Sequence, residues 1–109
     1  MIVYNETYVI EDSIKTQWLN WMQTVQIPAI MQTGWFSSYK ILTVLDSPNE
    51  GITFCVQFLA DTHDKYTYFS EKYLQQFHQA HHRLFENKYV LFNSLMQLID
   101  EKWKLQLHL

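Results

Sequence analysis

Residues 46–60 read Asp-Ser-Pro-Asn-Glu-Gly followed by Ile-Thr-Phe-Cys-Val-Gln-Phe-Leu-Ala. The first six are turn formers. Pro fixes its own φ, Asn and Asp bond back to nearby backbone, and Gly supplies a left-handed φ. The nine that follow alternate, with Ile52, Phe54, Val56 and Phe58 on one face and Thr53, Cys55, Gln57 and Leu59 on the other. Alternation of this kind marks a strand with one buried face. The preceding run from Phe36 to Leu45 is also β-like, so Asp46 to Gly51 predicts a hairpin with a loop longer than two residues.

Working outward, residues 2–10, IVYNETYVI, are β-branched and aromatic and predict a first strand. Asp12 or Ser13 is placed to cap a helix, and Ile14, Trp18, Trp21, Met22 and Val25 fall on one helical face. Pro28 removes a donor and predicts a break or kink near Ile27, and Gly34 a terminus. After the hairpin, Asp61 or Thr62 can cap a second helix with an apolar stripe at Tyr66, Phe69, Tyr73, Phe77, Ala80 and Leu84. Asn87 is suited to end it in a left-handed conformation, and Tyr89 to Ile99 predicts a last strand. The expected order is β-α-β-β-α-β. This is a ferredoxin-like α+β fold, a four-stranded antiparallel sheet with both helices on one face. Right-handed crossovers place the first and third strands in the centre. Residues 1–109 are read as a single domain, with 101–109 as a C-terminal arm carrying Trp103, Leu105, Leu107 and Leu109.

The chain has 109 residues, 48% of them hydrophobic and only 17% charged, against about 25% charged in an average globular protein. That composition excludes disorder as the main state. Seven Tyr, seven Phe and four Trp exceed what one small core needs, which points to a partner surface or an apolar pocket. The net charge is −3 and Arg83 is the only arginine, so no cationic cluster exists to replace phosphate counterions and nucleic acid is not expected as a partner. No apolar run approaches the ~20 residues of a membrane span, and the N-terminus lacks the pattern of a signal peptide. Cys55 is the lone cysteine, in keeping with a reducing, cytoplasmic setting.

With the helices on one face, the other face must meet water, a ligand or a second sheet. Its expected members are Asn5 and Thr7 from the first strand, Cys55 and Gln57 from the third, and Leu91, Asn93, Leu95 and Gln97 from the fourth. A face that mixes amides and hydroxyls with aliphatic groups suits sheet-on-sheet packing in a twofold homodimer with a lined cleft. Asn5, Thr7, Cys55, Gln57 and Asn93 are therefore the candidate ligand-binding residues.

Three stretches, IVYNETYVI, WLNWMQTVQIPAIMQTGWF and GITFCVQFLAD, resemble a short bacterial family within the dimeric α/β-barrel superfamily. The resemblance covers nearly the whole chain and weakens after Leu84. It implies ferredoxin-like protomers paired through their sheets. The superfamily includes cofactor-free monooxygenases, haem-degrading enzymes, small isomerases and proteins without known catalysis, and fold alone does not choose among them. Some haem-degrading members share an Asn on the first strand, matched by Asn5, and a His after Ala on the second helix, matched by Ala80-His81. They also use a Trp on the third strand, which ITFCVQFLA lacks, so haem degradation is disfavoured and no cofactor is expected.

Asn5, His78 and His81 are the candidate catalytic residues, with Asn5 and Gln57 to polarise an oxygen and a histidine as acid or base. His78 and His82, four apart, form a spacing that can chelate a transition metal, but an ordinary solvated helix face is the preferred reading and no metal is expected. Glu6, among apolar neighbours, is either a general base or a partner for Lys40 or solvent at an edge. Cys55 reads as a small buried hydrophobe, because no base lies near it in sequence. Trp35-Phe36 is either a pocket lip or packing at the start of the second strand. The expected function is a homodimer that binds a small apolar molecule in a cleft between sheet and helices. The alternative is a cofactor-independent monooxygenase or isomerase acting on a small aromatic compound.

Overall fold

The computed structural model describes residues 1–48 and 50–102. The expected C-terminal arm lies almost wholly outside these residues.

Four strands form one antiparallel sheet: β1 (Ile2–Ile10), β2 (Ser38–Thr43), β3 (Ile52–Ala60) and β4 (Tyr89–Gln97), in the order β2-β3-β1-β4. The two central strands are those expected, and both helices cover one face. The fold is ferredoxin-like. Ile52, Phe54, Val56, Phe58 and Ala60 of β3 face the helices, opposite Ile10, Tyr8, Glu6, Tyr4 and Ile2 of β1. Most of these side chains are fully buried, with Phe36, Phe69, Phe77 and Phe85 packed over them. β2 is shorter than the run from Phe36 to Leu45. Phe36 turns inward instead, against Phe58 and Phe69, while Trp35 stacks on Tyr68. The pair is therefore packing rather than a lip over the site described below.

Gly51 ends the β2–β3 turn at φ +84°, where an added Cβ would stand 2.3 Å from the Ile10 carbonyl oxygen. Only glycine allows the turn to approach β1 this closely. Asn87 ends the second helix at φ 66°, as its side chain chemistry predicts.

Each helix carries a π-turn. After a 3₁₀ turn at Asp12–Ile14, the first helix runs as Lys15–Trp21, a π stretch Met22–Gln26, and Ile27–Gln32. The second runs as His63–Phe69, a π stretch Ser70–Leu74, and Gln75–Phe85, and its Thr62 hydroxyl accepts from the Lys65 amide. Neither Asp12 nor Ser13 caps the first helix, since both lie within the 3₁₀ turn.

The π-turns correct two sequence expectations. Pro28 does not break the first helix. Ile27 N–H reaches five residues back to the Met22 carbonyl, so the helix has already changed its bonding pattern where proline lacks a donor, and it continues to Gln32. The apolar stripes also shift by one residue. A π-turn adds one residue to a turn and rotates all that follows. Gln26 is buried where Val25 was expected, and His81 and Phe85 are buried where Ala80 and Leu84 were expected, with Leu84 left 50% exposed. Gln26 uses its inward position to donate from Nε2 to the Phe77 carbonyl oxygen at 2.8 Å, tying the helices together.

Candidate functional site

On the open face, Gln57 Nε2 donates to Asn5 Oδ1 at 3.2 Å, and Asn5 Nδ2 donates to Thr7 Oγ1 at 2.8 Å. Thr7 Oγ1 lies 3.6 Å from Cys55 Sγ. Four of the expected ligand-binding residues therefore meet in one ladder, because β1 and β3 pair Asn5 with Gln57 and Thr7 with Cys55. Apolar side chains flank the ladder: Leu42 on β2, and Val90, Phe92 and Met96 on β4.

Asn93 does not belong to this face. It pairs with Glu6, and directly paired residues share a face, so Asn93 lies on the helix side. Phe92 and Ser94 take the open face beside Thr7 and Asn5. The sheet also stands between Asn5 and the histidines of the second helix. Asn5 and Gln57 cannot meet a ligand together with His78 or His81, because alternate residues of one strand point to opposite faces.

The helix side holds a cluster centred on Glu6, which is only 2% exposed. Tyr4 donates to its Oε2 at 2.9 Å and Tyr8 to its Oε1 at 3.0 Å. His78 Nε2 lies 2.7 Å from the same Oε2. Burial, together with the charge of Glu6, pushes the phenol pKa of Tyr4 and of Tyr8 far above the ordinary tyrosine value. Both phenols keep their protons and act as donors. Glu6 therefore pairs neither with Lys40 nor with solvent. Among the described residues, no fully buried side-chain nitrogen or oxygen lacks a hydrogen-bond partner.

His78 is the one member of the cluster that reaches outward, with 26% of its side chain exposed. It lines a groove of about 810 Å³ on the flank of the second helix, together with Leu74, Gln75, His82, Arg83 and Tyr89. The π-turn at Ser70–Leu74 supplies one end of this wall. His82 Nδ1 lies 2.8 Å from the Tyr89 hydroxyl. A second concavity of about 650 Å³ at the end of the sheet is walled by Glu11, Asp12 and Glu50, with none of the cluster in it. The groove at His78 is the better candidate, since it joins an open volume to a titratable side chain held by the buried Glu6 cluster.

His81 lies inside the core at 1% exposure, ringed by Tyr8, Trp18, Trp21, Phe85 and Tyr89. Its Nε2 accepts the indole N–H of Trp18 at 2.8 Å. Burial, helped by His78 and His82, lowers its pKa to about 4. His81 thus holds the core and has no part of the groove wall. The His78–His82 pair is engaged by Glu6 and Tyr89, and among the described residues no three His, Cys, Asp or Glu side chains are grouped to hold a metal. No helix of the described residues is long and apolar enough to cross a membrane.

Fold and site together define a ferredoxin-like protein with a flank groove. Solved structures of the same fold are similar across nearly the whole chain. HapK from Hahella chejuensis aligns with a TM-score of 0.70 at 6% identity, covering 97% of this chain and 100% of that one. A protein of Deinococcus radiodurans assigned as an antibiotic biosynthesis monooxygenase aligns at 0.64 with 12% identity, covering 97% and 100%. A dimeric ferredoxin-like protein from an uncultured marine organism aligns at 0.61 with 9% identity, covering 93% and 96%. At these identities the likeness is one of fold. Among curated proteins none matches the chain. Residues 1–99 match the family described as a domain of unknown function, DUF4286, and the chain belongs to that family.

Sequence reasoning named both His78 and Glu6 but did not pair them. Glu6 was visible as a lone acid between Tyr4 and Tyr8 in a strand. The spacing of two residues from each tyrosine, which puts all three on one face, was the available signal.

Proposed function

We propose that this protein is a homodimer that binds a small, largely apolar molecule with one polar end in the groove beside the second helix. His78 makes the polar contact. The observation that carries this reading is the 2.7 Å contact between His78 Nε2 and Glu6 Oε2 at the groove wall. A buried carboxylate holds the ring in place, while the exposed part of the ring meets whatever enters. Leu74 and the Tyr89 ring supply apolar wall, and His82 and Arg83 supply polar rim.

Homodimerisation is supported by the open face. Leu42, Val90, Phe92 and Met96 are large and exposed, and they surround the Asn5 ladder. A second copy packed sheet on sheet covers them. One protein of the same fold is described as dimeric.

Binding is tested by following the histidine ring resonances while benzoylformate, a small aromatic keto acid, is titrated in. The rings of His78 and His82 should shift, and His63, at the start of the second helix, should not. Stationary His78 and His82 rings at millimolar ligand would sink the reading.

A further inference from the structure

From the same cluster we infer that His78 is a general base, held by Glu6 in the tautomer that leaves Nδ1 free to take a proton from a small carboxylate substrate bearing an acidic C–H beside a carbonyl. This rests on the groove being the binding site.

The hydrogen-bond directions carry the inference. Glu6 has two oxygens and receives a phenol O–H on each, from Tyr4 and from Tyr8. As a carboxylate Glu6 has no proton to give, so it accepts from His78 across the 2.7 Å contact, with the Tyr4 hydroxyl 3.5 Å from the same Nε2. His78 must then donate through Nε2–H. A neutral imidazole that donates at Nε2 carries its lone pair on Nδ1. Among the described residues nothing is bonded to Nδ1 of His78. The ring is thus held by Glu6 at Nε2, and Nδ1 is the nitrogen left to act as the base.

Three features of the wall select the substrate class. Arg83 and His82 suit a carboxylate, for which a guanidinium offers paired donors. Leu74 and Tyr89 suit an apolar body. His78 lies between them in sequence, one turn beyond Leu74 and one before His82. The reaction is proton transfer alone. Nδ1 takes the proton from the carbon beside the carbonyl. The C–H electron pair becomes the C=C bond of an enolate, whose negative charge comes to rest on the former carbonyl oxygen. Return of the proton to either atom regenerates the base, and no oxidant or cofactor enters the balance. His78 is the catalytic residue and Glu6 a positioning residue.

Phenylpyruvate in deuterated water is the probe, with deuterium entry at its C3 followed by proton NMR. The protein should accelerate exchange above the buffer rate. His78→Gln should lower the protein-dependent rate by roughly 100-fold or more. Glu6→Gln is the sharper variant. Its amide donates to Nε2, which moves the ring proton to Nδ1 and removes the base while leaving the groove. The ¹⁵N shifts of His78 should show a protonated Nε2 in the native chain and a protonated Nδ1 in Glu6→Gln. This readout does not depend on turnover, and a melting curve confirms that each variant is folded. Benzoylformate, which has no exchangeable C–H, reports binding separately. If benzoylformate binds and exchange is no faster than with His78→Gln, the base assignment is overturned and the binding reading stands. If benzoylformate does not bind, both fall. A protonated Nδ1 in the native chain also overturns the inference.

Discussion

Trp18 on the first helix donates its indole N–H to Nε2 of His81 on the second, across 2.8 Å, with both side chains sealed in the core. This bond requires His81 to be neutral with its proton on Nδ1. Among the described residues it is the side chain-to-side chain hydrogen bond between the helices, and Gln26 adds a side chain-to-backbone one at the Phe77 carbonyl.

The His81 bond makes stability depend on pH. The folded pKa of His81, about 4, lies below the ~6.5 of an unfolded histidine. The unfolded chain therefore takes up the proton first as pH falls. The stability contribution is complete above about pH 6.5, declines as pH drops toward 4, and is constant below that, for a total of up to about 3 kcal/mol. Urea denaturation at pH 7.5 and pH 5 should show this loss in the native protein. His81→Asn should be less stable at pH 7.5 but have a shallower pH slope. An unchanged slope would show that other groups cause the acid sensitivity.

Glu6→Leu should destabilise the fold by roughly 2–5 kcal/mol, because it leaves the buried phenols of Tyr4 and Tyr8 without their acceptor. Tyr8→Phe alone should cost about 1 kcal/mol. The double variant Glu6→Leu/Tyr8→Phe should be more stable than the sum of the single losses predicts, since it removes a donor that no longer has a partner. Strict additivity in a denaturation cycle would argue against the bond.

The two glycines with positive φ should differ. Gly34, at φ +82°, has open space where a Cβ would stand, so Gly34→Ala should cost about 1 kcal/mol for its left-handed backbone. Gly51→Ala adds a clash with the Ile10 carbonyl oxygen and should cost more than about 2 kcal/mol. Equal losses in midpoint of denaturation would mean that the turn yields without cost.

Phe92→Glu should convert a dimer to a monomer by multi-angle light scattering, since Phe92 is 57% exposed on the open face, midway along the edge strand β4. Leu84→Glu, on the outer surface of the second helix, should leave the mass unchanged. A native chain that is monomeric at tens of micromolar would refute the dimer.

The sheet was legible in the residues because β3 alternates cleanly and its turn is explicit. Ile52, Phe54, Val56 and Phe58 leave little choice of face. β4 was not legible. Tyr89, Leu91 and Leu95 on one side and Val90, Phe92 and Met96 on the other give no alternation, so only pairing with β1 decides that Asn93 sits beside Glu6. The helical stripes were legible through Met22 and through Phe77, and one residue out of phase after each, at Val25 and at Ala80 and Leu84. A π-turn follows from how two helices pack and bond, and no local propensity announces it.

By itself the sequence determined the element order, the hairpin at Asp46 to Gly51, the left-handed stop at Asn87 and the histidines on the second helix, all consequences of local chemistry and periodicity. The tertiary structure decided which histidine does what. His78 and His81 are three residues apart, yet one touches Glu6 across 72 positions of chain and opens on a groove, while the other meets Trp18 across 63 and is sealed. Rotation of the second helix against the sheet makes that division, and a rotation is a property of packing between elements rather than of any one of them.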